Sequence, residues 1–228
     1  RNTGTFTIGG WGDIYAVLDE DVLEVQQLEM SQFKGVFAEQ ISEWYNSLLN
    51  ISIILEEWKR FQKKWMQLQP IFDSSDIHRS IPAEAKKFKS VNETWRDLIR
   101  QLKENMNVKH FCNKENLTEI IKVSNNLLEE VERGLNDYID KKKTIFPRFY
   151  FISQEDLIEI ISQTKDLNKI KDNLKKIFDN IHYIELKDDR LITKILSQLQ
   201  ESITLKESIL IQGKNVEIWM LDLEEKKE

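Results

Sequence analysis

Glycine and proline are scarce: seven Gly and three Pro, ten of 228 residues, are about 4% against a usual combined frequency of about 12%. A β-sandwich or propeller needs a turn every ten residues or so, so both architectures are disfavoured. Cysteine is nearly absent. Cys112 alone cannot close an intramolecular disulfide or furnish a Cys-only zinc site, and a reducing compartment is the expectation. No apolar run approaches the roughly 18 residues needed to cross a bilayer. Positive charge is not in excess either, with 33 Lys and Arg against 39 Asp and Glu and a net charge of -6. That balance counts against a nucleic-acid or membrane-surface protein, both of which call for a positive field. The first residues, Arg1-Asn2-Thr3-Gly4, include no initiator Met and no apolar signal core, and Glu224 to Glu228 stops in mid-pattern. The chain is therefore expected to be a segment of a longer one.

What is present is helical periodicity. Hydrophobic residues make up 40% of the chain, enough for a packed core, and the length suits one large domain or two closely joined ones. From Trp11 to Met30, Ile14, Val17, Leu18, Val22, Val25 and Leu28 recur at mostly three- and four-residue steps, which predicts a helix. A longer near-heptad run follows from Phe33 through Phe37, Ile41, Trp44, Leu48, Ile51, Leu55, Trp58, Phe61 and Trp65 to Leu68. It predicts a rod roughly 54 Å long, ended by Pro70. Ile71 to Ile81 reads as a polar connection, with Ser80 and Pro82 opening a second amphipathic helix to about Asn105. After a short link through Phe111 and Cys112, a third helix is expected from Glu115 to about Ile145. Its face takes Leu117, Ile120 or Ile121, Leu127 or Leu128, Val131, Leu135 and Tyr138. Gly134 marks a close-packing point, and Lys141, Lys142 and Lys143 complement the helix dipole in the last turn.

Pro147 stops that helix. Phe146-Pro147-Arg148-Phe149-Tyr150-Phe151-Ile152 has aromatics on both parities, so an extended segment here would be covered on both faces. Ser153 with Asp156 looks like a cap for a helix through Gln163, and Asp166 or Asn168 for one from Ile170 to Ile181. Tyr183 to Ile211 changes period and reads as a small antiparallel β element, before Val216, Trp219, Met220 and Leu223 return to helix. The expected fold is mostly α, an elongated helical bundle with a small antiparallel β element near the C-terminal end. Residues 1–146 form its first part, and 147–228 a second part of short helices, β element and the start of a further helix.

No chemistry-bearing motif survives inspection. Gly4 and Gly9 have phosphate-loop spacing, but Gly10 stands where Lys is required; Gly213-Lys214 has Ser208 and Asn215 in place of the Gly and Ser/Thr. His78, His110 and His182 are too separated for a local ligand pair. The acidic runs Asp19-Glu20-Asp21 and Glu129-Glu130-Glu132 read as solvated helix faces. Trp58-Lys59-Arg60-Phe61-Gln62-Lys63-Lys64-Trp65 interleaves aromatics with base. On a helix, however, Trp58, Phe61 and Trp65 share one face and the cations another, a core stripe backed by solvent rather than a nucleic-acid surface.

Several strings nevertheless resemble one family. Trp58 to Phe72 is similar to the W-x-x-x-Q-x-x-W-x-x-L-x-P-I-F pattern of dynein heavy chains, and Asp73-Ser74-Ser75-Asp76-Ile77 and Pro82 to Phe88 with Trp95 continue it. FPRFYFIS, Phe146 to Ser153, followed by Asp156-Leu157-Ile158-Glu159-Ile160, resembles the family's linker signature. Asn215-Val216-Glu217-Ile218-Trp219 resembles its N-V-E-x-W. The resemblance covers Trp11 to Glu225, and Pro-Ile-Phe before Asp-Ser-Ser-Asp-Ile looks more axonemal than cytoplasmic. One departure is Ser197 to Ser202, which lacks the usual hairpin Gly, so a longer loop replaces a tight turn.

The resemblance implies a mechanical role. The dynein linker is an arch across the AAA+ ring that bends as ATP is bound and hydrolysed there, coupling ring to tail. It implies no catalytic, cofactor or metal residue in this segment, with ATP and Mg held in the ring of the parent chain. The implied partners are that ring, the heavy-chain tail and, through other regions, intermediate and light chains and microtubules, without nucleic acid or membrane. The implied location is the cytoplasmic cytoskeleton of a ciliary or flagellar axoneme. Trp58, Trp65, Pro70, Trp95 and Trp219 are the implied structural residues. Lys141 and Phe146, Pro147, Arg148, Phe149, Tyr150, Phe151 and Ile152 mark either a bending joint or a packed corner. A passive helical scaffold is the competing function; the β element and the missing tandem repeat count against a spectrin-like one.

Overall fold

The computed structural model describes residues 5–162, 173–178, 180–188, 190–199 and 201–226. Its helices are α1 (Trp11–Met30), α2 (Ala38–Phe72), α3 (Ser75–Ser80), α4 (Pro82–Glu104), α5 (Val108–Cys112), α6 (Leu117–Ile145), α7 (Gln154–Ser162) and α8 (Val216–Lys226). Short 3-10 helices cover Gly35–Phe37 and Pro147–Phe151. Strands β1 (Tyr183–Lys187), β2 (Leu191–Leu196) and β3 (Ser202–Leu210) form an antiparallel sheet in chain order. The fold is mostly α with a small antiparallel sheet towards the C-terminal end, as the periodicity predicts. The chain divides into two units, Arg1–Gln69 with Lys86–Glu130 and Pro70–Ala85 with Val131–Glu228.

The first unit is organised by tryptophan. Trp58, Phe61 and Trp65 from α2 are at most 1% exposed and meet Trp95 of α4, itself fully buried. Trp65 stacks on Trp95 at 4.9 Å between ring centroids, and Phe61 meets Trp95 edge-on at 5.1 Å. Phe111 of α5 closes on Trp58, also edge-on. Offset and edge contacts of this kind add to the large area that aromatic rings bury. The Trp65 indole donates to Asn92 Oδ1 at 3.0 Å, so this ring keeps its polar edge satisfied. The intervening cations turn outward. Lys64 and Arg60 pair with Glu129 of α6, whose carboxyl is held below the usual range by the Lys64 hydrogen bond first, then by Lys64's charge and by Arg60. The interleaved aromatic-basic string is thus a core stripe with ion-paired cations behind it.

Two expectations about α2 are corrected. The helix does not begin at Phe33. Gly35 adopts φ +44, a left-handed conformation that interrupts the run, and Phe33 and Phe37 stay exposed. Nor does Pro70 end it; the helix continues to Phe72 with Pro70 inside its last turn. A proline deletes one donor, and near a helix C-terminus that loss is small because further turns no longer depend on it. Ile71 to Ile81 is likewise not a plain connection but holds α3, capped where the Ser74 hydroxyl accepts from the Asp76 N–H and donates to the Ser162 carbonyl at 2.8 Å.

In the second unit the sheet pairs Ile184 with Ile195, and Ile192 with Ile209. These four side chains are buried, so one face of the sheet is apolar. The connection from β2 to β3 is the expected longer loop. Ser197 Oγ accepts from the Leu199 and Glu201 N–H groups, supplying partners that a tight glycine turn would not need. α8 packs on β3 and buries Val216, Trp219, Met220 and Leu223. Gly134 of α6 is covered by Glu84, whose Cγ lies 2.5 Å from where a Cβ would stand, so it is a close-packing point as expected. The predicted helix caps Asp166 and Asn168 lie outside the described residues; residues 173–177 are helical.

Cys112 is buried, and burial pushes its thiol up to about 11. The thiolate is the reactive form. Native chain at neutral pH is therefore expected to resist a disulfide reagent such as dithiobis(nitrobenzoate) and to react fully once denatured. Prompt stoichiometric reaction of the folded chain would contradict the burial.

Candidate functional site

The string Phe146 to Ile152 is not extended. Pro147 fixes φ near −65°, which suits the first turn of a helix, and a 3-10 turn has three residues per turn. Residues three apart then share a side, so Phe146 and Phe149 point inward together while Tyr150 and Phe151 do not. Phe146 and Phe149 are fully buried, their rings edge-on at 5.0 Å, whereas Phe151 is 82% exposed. The expectation that an extended segment is covered on both faces is overturned by this geometry.

The end of α6 and this turn meet α8 through two ion pairs. Leu135, Ile139, Lys142 and Phe146 follow the i, i+4, i+7, i+11 spacing of one helix face, and all four are buried. Lys142 therefore occupies a core position. Its ammonium pairs with Glu217 of α8 and lies 5.0 Å from the Tyr138 ring centre. The two charged side chains are 10% and 3% exposed. One step outward, Arg148 donates from Nε to Glu224 Oε1 at 2.6 Å and stacks over Phe178 at 5.3 Å, and Phe178 also contacts Phe146.

The structure thus ties Arg148 to α8, buries Phe146 and Phe149, and leaves Lys141, Pro147, Tyr150 and Phe151 at the surface, with Ile152 half-buried. Lys142 and Glu217 are the residues that sequence reasoning missed. A lysine on the Leu135–Ile139–Phe146 stripe, and the Glu between Val216 and Trp219, were the available signals. Trp58, Trp65, Trp95 and Trp219 are all buried in their cores.

Beside Lys142 and Glu217 lies an open cavity of about 870 Å³, lined also by Tyr138, Arg79, Arg190 and the Gly213-Lys214-Asn215 turn. The glycine-lysine near-miss of a phosphate loop belongs to this wall. Gly213 has φ +78, but Lys214 reaches forward to Asp222 at 2.6 Å rather than into the opening. Arg79 pairs with Asp76. Among the described residues no group of three His, Cys, Asp or Glu could hold a metal ion, and no helix is long and apolar enough to cross a membrane. What the arrangement does is ionic and apolar: it fixes the first turn of α8 to the last turn of α6.

Comparison with known proteins gives these strings a context. Residues 1–227 match the family described as dynein heavy chain, N-terminal region 2. Dynein axonemal heavy chain 1 of Rattus norvegicus is 35% identical over 224 residues, 98% of this chain and 5% of that protein. Dynein axonemal heavy chain 3 of Mus musculus is 34% identical over 227 residues, 99% of this chain and 6% of the relative. Dynein axonemal heavy chain 12 of Homo sapiens is 32% identical over 227 residues, with 99% and 7% covered. The chain spans only a small fraction of the length of these curated relatives. With the match running over residues 1–227 and the relatives aligned over almost the whole chain, the chain belongs to the dynein heavy chain family, as its N-terminal region 2.

Proposed function

We propose that this chain is the force-transmitting linker segment of an axonemal dynein heavy chain, a lever between an ATP-hydrolysing AAA+ ring elsewhere in the parent protein and its tail. The observation that carries the reading is the tie of the α6 end and FPRFYFIS to α8, the helix that N-V-E-x-W opens, through Lys142–Glu217 and Arg148–Glu224. A lever transmits force only if its elements move as one, and a buried pair with an outer bidentate-capable arginine resists shear between α6 and α8. In this reading ATP and Mg²⁺ bind in the ring, and the ring, the tail, the intermediate and light chains and the microtubule are the working partners. The axoneme is the site of action.

Deleting the segment from the full heavy chain is expected to abolish microtubule gliding while ATP turnover by the ring persists. Gliding at the unaltered velocity would leave only a passive scaffold. The finer reading places a bending joint at Lys141 to Ile152. Phe149→Ala cannot test it, because that ring is core and its loss costs about 3–5 kcal/mol. Phe151 is 82% exposed, so Phe151→Ala leaves the fold intact and removes only a surface contact. Slower gliding with an unchanged circular dichroism spectrum is expected; unchanged velocity removes the joint and leaves the lever.

A further inference from the structure

α1 is the least covered long helix of its unit. Leu18 and Val25 are the buried residues of its 20-residue span. The burial of two aliphatic side chains offsets little of the conformational entropy lost in ordering a 20-residue helix. Hydrogen bonds offset part of that cost, yet such a helix depends on further cover. Exposed apolar groups are at hand: Val17 at 60%, Leu28 at 54%, Met30 at 75%, and Phe33 just beyond at 95%. At 100° per residue, Val17, Asp21, Glu24 and Leu28 fall within about 60° of one another, a stripe apart from Leu18 and Val25.

The charge on this helix is of one sign. α1 carries Asp13, Asp19, Glu20, Asp21, Glu24 and Glu29, and no Lys, Arg or His. None of the six makes an ion pair among the described residues, although ion pairs are frequent on α2, α4 and α6. Two cations from outside approach α1: Lys59 lies over the rings of Trp11 and Tyr15, at 6.0 and 4.9 Å from their centres, and Lys34 donates to the backbone carbonyl of Glu29 at 2.8 Å, at the C-terminal end of the helix. The negative field is felt locally: the Tyr15 hydroxyl is pushed up, by burial first and then by Glu56 and Asp19.

We infer that the exposed face of α1 is a docking surface for a basic amphipathic helix, whose apolar residues cover Val17 and Leu28 and whose Lys or Arg residues meet Asp21 and Glu24. Uncompensated carboxylates around an apolar stripe are complementary to that chemistry and repel its alternatives. An anionic membrane or the α1 of a second copy would place like charge on like charge. The eleven-residue step from Val17 to Leu28 is about 16 Å, three turns of a partner helix laid alongside.

The test is photocrosslinking in the intact, assembled heavy chain. A benzophenone amino acid replaces Leu28, and the adduct peptide is sequenced. The expected adduct is a segment with apolar residues at helical spacing flanked by Lys or Arg. Asp21→Lys with Glu24→Lys, both exposed positions that leave packing unaltered, should lower adduct yield by about tenfold. Circular dichroism of the variant verifies that the helices remain. No adduct, an adduct with lipid, with α1 of another copy or with an acidic segment, or a yield indifferent to the charge reversal, would each overturn the inference.

Discussion

Glu217→Ala lowers the stability of this chain by about 3–5 kcal/mol, because it strands the Lys142 ammonium in the interior. Lys142 and Glu217 have side chains 10% and 3% exposed, so the ammonium would lose its carboxylate while still largely out of solvent. The Tyr138 ring 5.0 Å away remains as a weak neighbour for the cation and compensates little. The double variant Lys142→Met, Glu217→Leu is expected to recover most of the loss, since an apolar pair of similar volume avoids desolvating two charges. The urea midpoints of the two variants and of the unaltered chain, read by circular dichroism, decide this. A loss below about 1 kcal/mol for Glu217→Ala would place the pair in solvent. A double variant no better than the single would mean that packing rather than charge is at stake. The same double variant separates two roles in the motor. Stability restored with gliding impaired would show that the pair is retained for the geometry it specifies.

Trp95→Ala is the second large effect, expected at about 3–5 kcal/mol or more. Its ring lies within 5.3 Å, centre to centre, of Trp58, Phe61 and Trp65, so one deletion removes three aromatic contacts and opens a cavity between helices. Trp44 provides the comparison. It follows the same apolar period of α2 but is 40% exposed, covered on one face by Lys109 at 4.4 Å from its ring centre. Trp44→Ala should cost about 1 kcal/mol or less. Equal shifts of the denaturation midpoint for the two variants would contradict the assignment of Trp95 to the centre of the core.

Much of this was legible beforehand, because periodicity and caps are local. α1 was readable to its end residues from apolar spacing, and the Ser153–Asp156 cap was visible three residues apart and is made as expected, with Ser153 Oγ accepting from the Asp156 N–H at 3.1 Å. The strands declared themselves by the change of period at Tyr183. Boundaries failed where one residue's backbone overrides a side-chain pattern. The apolar run continues through Phe33 and Phe37, but the positive φ of Gly35 breaks the helix that the run describes. Pro70 does not stop α2, since a missing donor matters least in a last turn.

Composition and spacing alone settled that the chain is mostly helical, net acidic and strongly patterned, and its signature strings pointed to its family. Which lysine of Lys141-Lys142-Lys143 goes inside was not decided locally. Any of the three suits a helix C-terminus, and only the arrival of Glu217, 75 positions later, makes burial of Lys142 tolerable. The exposed stripe of α1 follows the same logic in reverse. Its apolar period promises burial, yet burial requires a partner surface, and tertiary structure supplies one for Leu18 and Val25 while leaving Val17 and Leu28 uncovered. Local sequence sets which side chains are able to share a face; only packing across distant segments determines which face is taken out of water.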